Sequence, residues 1–319
     1  MRESIDYLEL LGSAIAVTGP AFSMVLGGLL LRRLNIIGDR FIDVGSRLVF
    51  QFGIPVVLFF GALSADYSSV LGSTYLLAGV LATIVTVVLS YLYGRWRAFP
   101  MRHLGIFVQG AYRSNMGIIG LALCVNAYGE QGLALAALAL AIWTVLYNII
   151  AVLLLNATLG HDSSVWGMFK GMLTNPLIIG IGLGVITAAS GIAVPNQLNM
   201  VGRGFADIFI PFSLICIGGA LNLASLRQSA RETLEASIWK LLIMPLLSVS
   251  LALAMGVRGP ELGVLFLLLA APTAAASFVM VVAAGGNGSL AANIVLLTTL
   301  ASTLTVTTGL VLLRWLGLV

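Results

Sequence analysis

The stretch YRSNMGIIG, residues 112–120, decides how this chain is read. It lies inside a long apolar run. Yet it sets a cation (Arg113), a hydroxyl (Ser114) and a carboxamide (Asn115) side by side, with Gly117 and Gly120 close behind. The SNMG segment is poor in helix propensity. A polar, weakly helical cluster in an otherwise apolar span predicts an interruption there, and therefore a reason for one.

Working outward, the 319-residue chain is 60% hydrophobic and 9% charged, with a mean hydropathy of +1.07. Soluble domains carry about 25% charged residues. Apolar windows of roughly 20 residues, enough to cross about 30 Å of hydrocarbon, recur from end to end. The reading is an all-α polytopic membrane protein, since a β-barrel would show weak alternating segments of about ten residues instead. Ten spans are expected, near 9–31, 44–63, 73–94, 103–126, 131–156, 172–189, 204–222, 235–256, 262–284 and 289–316. The opening MRESIDYLEL is acidic, and LLLRRL follows its apolar run, so no cleaved secretory signal is expected. Cys124 and Cys216 fall in apolar helices and read as packing residues, with no disulfide framework or metal site implied.

The net charge of +4 reports orientation, with no nucleic acid partner expected. With the N-terminus outside, the inner loops hold Arg32, Arg33, Arg40, Arg47, Arg95, Arg97, Arg102, Lys170, Arg227 and Arg231. The outer segments hold Arg2, Arg203, Arg258 and Arg314. That bias of ten against four places both termini outside. Glu3, Asp6, Glu9, Asp66 and Glu130 lie on the outer side of this scheme.

The chain also looks duplicated. Pro20 and Pro176, each read as near a span's start, are 156 residues apart, as are Pro55 and Pro211; GALS at 61–64 recurs as GALN at 219–222, an offset of 158. Five spans per half is an odd number, so the second half enters from the opposite side, the inverted-repeat layout of many secondary transporters. The halves are 1–156 and 172–319. Adding 158 to Ser114 reaches Pro272, in LAAPTAAASF of span nine. Proline removes a helical hydrogen bond and clashes with the preceding turn. Two broken helices meeting at mid-membrane are therefore expected. Irregular backbone is tolerated at that depth only when buried in protein or lining a cavity, and half-helix ends offer dipoles to a ligand.

Arg113 is the basic residue near a span's centre, so it faces protein or water. It reads either as a clamp on a substrate carboxylate or as a structural charge bonding freed carbonyls. Asn115 reads as a substrate contact, a cap of the second half-helix, or both. Ser114, Thr273 and Ser277 offer hydroxyls around the crossing. Asn148, in WTVLYNII, faces it or glues helices together. Asp207 and Gln51 precede the prolines of spans seven and two. Asp207, the deepest carboxylate, is the candidate for proton coupling, against an outer-interface role. Lys240 is expected to snorkel from the inner end of span eight. His103 and His161 read as surface residues, and glycine-rich GIGLGV as close helix packing. G-x-S-x-G, H-E-x-x-H and Walker A motifs are absent, so an enzyme is not expected.

Taken together, QGAYRSNMGIIGLAL (109–123), TNPLIIGIGLGV (174–185), IPFSLICIGGAL (210–221), APTAAASFVMVVAAGG (271–286) and LTTLAST (297–303) resemble the auxin efflux carrier family, over nearly the whole chain. That family includes plant PIN proteins and bacterial carriers annotated for malonate and related acids, and its fold is similar to that of bile-acid sodium symporters. The resemblance implies a scaffold of spans one, two, six and seven that also dimerises. It implies a moving transport domain of spans three to five and eight to ten, with site residues Asn115, Pro272 and Thr273. Two departures stand out: span four has SNMG where plant members carry proline, and the loop 157–171 is short. The acidic sodium-binding residue of the bile-acid symporters has no counterpart in APTAAASF. The expected protein is thus a bacterial inner-membrane secondary transporter of small organic anions, working by alternating access as a homodimer, with no cofactor. Coupling to H+ or Na+ stays open. A cation/proton antiporter of similar architecture, and a channel or sensor without turnover, are the alternative readings.

Overall fold

A computed structural model describes residues 7–63, 73–159, 174, 176–190, 195–220 and 230–319. Arg2, Glu3, Asp6, Asp66, His161, Lys170 and Arg227 lie outside the described residues, as do Ser64, Leu221 and Asn222 of the repeated tetrapeptides. The described regular structure is helical, apart from one isolated bridge between Ser114 and Thr273.

In chain order the helices are α1 (Tyr7–Arg33), α2 (Asp39–Leu63), α3 (Thr74–Trp96), α4 (Met101–Tyr112), α5 (116–128), α6 (130–159), α7 (Pro176–Ala189), α8 (Asn196–Ala220), α9 (Arg231–Ala254), α10 (Gly259–Ala270), α11 (Ala275–Ala283) and α12 (Gly288–Trp315). Among the described residues, seven continuous helical stretches are long and apolar enough to cross a membrane, and Ile178–Ala189 and Gly259–Ala270 are shorter apolar helices. The chain is a polytopic helical membrane protein. One of the seven, Met116–Leu159, has 44 residues, about twice one crossing. Gly129 divides it into α5 and α6: its φ of 55° and ψ of −132° turn the chain where a residue with a Cβ would be strained. Large apolar side chains face outward, among them Leu30, Leu92, Ile208, Leu246 and Leu304, as a hydrocarbon solvent permits.

Prolines shape three of these helices, each differently. Pro176 opens α7, where its missing N–H costs nothing, but Pro20 lies inside α1, so this pair of repeat landmarks does not occupy equivalent helix positions. In α9, a widened π turn at Trp239–Ile243 comes just before Pro245. The proline supplies no N–H and crowds the preceding turn, and the wider turn absorbs both defects.

Glycines set the tightest packing. α1 runs along α8, where a methyl on Gly28 would strike the Ile215 carbonyl and one on Gly218 the Val25 carbonyl. α2 runs along α7, where Gly180 and Gly184, four apart, face the carbonyls of Pro55 and Phe59. Such spacing lets helix backbones approach closely in a membrane, where dispersion replaces the hydrophobic effect as the driving force. A second group packs α3 against α4 and α9, and α12 against α9 and α11. Its core includes Leu104, Phe107, Trp143, Leu265, Leu268 and Ile294.

The two ends of this group differ in charge. At one end Glu235 pairs with Arg97 and Arg231, and His103 lies 3.3 Å from Glu232 and 3.5 Å from Asn287. His103, expected on the surface, bridges α4, α9 and the start of α12. At the other end the Gly259 N–H donates to the Leu318 carbonyl at 2.8 Å.

Candidate functional site

The helical backbone stops twice at one place. α4 ends at Tyr112, and Arg113 (φ −77°, ψ 93°) and Asn115 (φ −78°, ψ 63°) leave the helical region before α5 begins in a π turn. α10 ends at Ala270, and Ala271 is extended (φ −55°, ψ 147°) before α11. The two extended pieces pair antiparallel. The Asn115 N–H donates to the Pro272 carbonyl at 2.7 Å, and the Ala274 N–H donates to the Arg113 carbonyl at 2.9 Å. These bonds satisfy groups that the broken helices leave orphaned, which a water-free interior demands. Ser114 bridges Thr273, one residue beyond the partner that an offset of 158 names. The start of α11 and the beginning of α5 both point their N-terminal dipoles at this pairing, while α4 and α10 end there.

Two basic side chains flank it. Arg113 is 6% exposed. Its guanidinium donates to the Tyr147 carbonyl at 3.0 Å and to Asn148 Oδ1 at 2.7 Å, while its Nε–H is buried without a partner. α6 supplies both acceptors, and Tyr112 braces the same turn by donating to the Tyr147 carbonyl at 3.1 Å. The second basic side chain corrects an expectation. Lys240 does not snorkel: it is 0% exposed and reaches the break, donating to Ser114 Oγ, to the Leu269 carbonyl at 2.7 Å and to Met244 Sδ at 3.2 Å. The π turn that Pro245 demands contains Lys240 and helps fix its direction.

The remaining residues divide into those at the break and those elsewhere. Thr273 donates its hydroxyl to the Gly110 carbonyl at 2.8 Å and its N–H to Thr298 Oγ1 at 3.1 Å, tying α4, α12 and the second break together. Ser277, on the first turn of α11, has a buried hydroxyl without a partner, as does Gln109 Oε1 on α4. Asn115 occupies the cap position before α5, yet its side chain makes no capping bond. Asn148 is half-buried and holds Arg113. Asp207 and Gln51 are exposed, on α8 and α2, and Gln51 lines a groove of about 400 Å³ between α2 and α7. Neither belongs to the hydrogen-bonded cluster at the break.

Two buried basic side chains, Arg113 and Lys240, thus meet at a double backbone break. Comparison with known sequences decides the family. A family model described as Membrane transport protein matches residues 19–309. The chain belongs to that family, the auxin efflux carriers. This membrane transport protein is also similar to an uncharacterized transporter of Methanothermobacter thermautotrophicus, 25% identical over 244 residues, covering 76% of this chain and 79% of the relative. An uncharacterized transporter of Methanocaldococcus jannaschii is 24% identical over 255 residues, covering 76% and 80%.

Sequence reasoning missed Lys240 in this transporter because a lysine near a span's end ordinarily reaches for the headgroups. A signal was available: Pro245 stands five residues on, in an apolar helix, so the turn carrying Lys240 had to deform.

Proposed function

We propose that this membrane transport protein is a secondary active carrier of small organic anions, carboxylates above all, working by alternating access. The observation that carries this is the pair of buried basic side chains at the double break, Arg113 and Lys240, neither of which spends its hydrogen bonds on a carboxylate. Arg113 uses a carbonyl and a carboxamide, and its Nε–H is still without a partner. Lys240 uses a hydroxyl, a carbonyl and a thioether. Buried positive charge of this kind is stabilised by an anionic guest.

In this reading the ten spans form a five-plus-five inverted repeat, and the Ser114–Thr273 pairing is the crossing of spans four and nine. Arg113 and Asn115 hold the carboxylate, with Ser114, Pro272, Thr273, Ser277 and Asn148 around it. The glycine-packed pairs α1–α8 and α2–α7 support a scaffold that dimerises, and the group bearing both breaks supports a moving transport domain. The membrane is an inner membrane, with both termini on the outer side. Asp207 and Gln51, the residues proposed for coupling, lie exposed on α8 and α2, apart from the cluster.

Counterflow with the purified carrier in liposomes tests this. Labelled monocarboxylates, dicarboxylates and indole acids are offered against the same unlabelled anion inside. At least one should exchange. If none does, or if a conductance well above about 10³ ions per second appears, faster than μs–ms domain motions permit, the carrier reading falls.

A further inference from the structure

We propose that Thr18 on α1 is a pawl on one stripe of α12, pairing with Thr307 in this structure and with Thr303 after the two helix groups slide one turn past each other. The inference rests on the carrier reading, which calls for such a movement, and it names the seam and the step.

Links between the groups gather at one end. Asn126 Nδ2, on α5, donates to the Val17 carbonyl of α1 at 3.1 Å. The Thr18 hydroxyl lies 2.7 Å from that of Thr307, in the last third of α12. Glu130, at the start of α6, pairs with Arg203 of α8 at 2.6 Å, an exposed pair that adds little. Tyr128 packs on Gly263, so the turn between α5 and α6 lies at the Gly259–Leu318 end, and these links lie toward it. At the Glu235 end, α4, α11 and the start of α9 pack against helices of their own group.

Hydrogen counting shows a contact that releases without leaving an orphan. Thr18 has one hydroxyl hydrogen and the Ala14 carbonyl at 3.0 Å to receive it; Thr307 has one and the Thr303 carbonyl at 2.6 Å. The Thr18–Thr307 pairing needs one of those two hydrogens. When the helices part, each hydroxyl returns to the carbonyl of its own helix, and no buried polar group goes unpaired. The Val17 carbonyl likewise keeps the Ala21 N–H of its helix when Asn126 leaves.

The register of the seam comes from α12. α1 is fixed to α8 by backbone contacts at Gly28 and Gly218, while Gly309 of α12 faces Phe266 of α10, in its own group. Thr303, Thr307 and Val311 stand four apart along one stripe of α12, about 6 Å from each to the next. Carrying the two breaks past the joined end moves α12 toward that end, which brings Thr303 opposite Thr18. A hydroxyl again meets a hydroxyl. Packed helices shift between discrete registers, so the step is one turn.

Disulfide trapping tests the step without substrate. Cys124 and Cys216 are buried, so cysteine pairs can be added to the wild-type chain, in liposomes, and oxidised mildly. Thr18→Cys with Thr307→Cys should cross-link readily, and failure to do so overturns the proposal. Thr18→Cys with Thr303→Cys should cross-link at about 0.1–10% of that rate, the population of a minor state. Thr18→Cys with Val311→Cys, one turn the other way, is the control. A Thr303 pair no faster than the Val311 pair overturns the proposal. Bridging positions 18 and 307 should also stop counterflow until a reductant is added, and undiminished exchange in the bridged carrier overturns the proposal. Should the cysteine pairs not fold, Thr303→Val decides. It removes the second rung and should slow exchange about two- to tenfold with melting unchanged, the effect of one hydrogen bond; exchange at the wild-type rate overturns the proposal. Absence of any carboxylate exchange by wild type refutes the carrier reading alone, and the trapping rates then decide the one-turn step.

Discussion

Arg113 and Lys240 are both buried basic side chains, but they are held in different ways. Lys240 reaches a hydroxyl, a carbonyl and a thioether from three different stretches of the chain. Arg113 keeps an unpartnered Nε–H while one helix, α6, supplies its Tyr147 and Asn148 acceptors. An Arg side chain with donors to spare matches the two oxygens of a carboxylate. Arg113→Gln should abolish carboxylate binding, measured by the loss of a substrate-induced rise in melting temperature, while the variant stays folded. Arg113→Lys should recover little, because a point charge does not reproduce the fork geometry. Unchanged affinity in Arg113→Gln would remove this residue from the site.

At the scale of elements, glycines and prolines decide where backbones come close and where they open. Gly28 and Gly218 let α1 and α8 approach until no methyl fits between them. Gly28→Val should therefore destabilise the protein by about 1–3 kcal/mol, as overpacking does. A thiol-reactive dye can follow this, because Cys124 and Cys216 are both buried and react only on unfolding. A variant with wild-type melting would show that α1 can move away freely. The helix breaks tell the complementary story. SNMG and APTAAASF announce weak helix locally, and both segments do leave the helical region, at residues 113–115 and 271–274. Propensity and proline chemistry are local, so the interruptions were legible in the sequence. The exact partner was not. An offset inferred from distant landmarks named Pro272 for Ser114, whereas the pairing register selects Thr273.

At the scale of the molecule, the basic loops carry the orientation. Arg97, His103, Glu232, Glu235 and Asn287 gather at one end, and Gly259 meets Leu318 at the other. In the proposed orientation, which follows the positive-inside rule, the first end faces the cytoplasm. With both native cysteines buried, single cysteines can be added to the wild-type chain directly. A membrane-impermeant maleimide should label Val319→Cys in intact cells, and Asn35→Cys only after permeabilisation. The reverse pattern would invert the proposed topology.

What the sequence by itself determined is whatever depends on neighbours along the chain: apolar runs long enough to cross a bilayer, loop charge, and the two sites where glycine, serine, asparagine or proline weakens a helix. Lys240 belongs to the other class. In the chain it lies 126 residues from Ser114 and reads as a headgroup-seeking lysine. Only tertiary structure carries it to the break, because a π turn ahead of Pro245 aims it inward and the end of α10 offers it a carbonyl. Hydrogen-bond partners so far apart in sequence are chosen by packing, and composition, periodicity and propensity say nothing about packing between elements that distant.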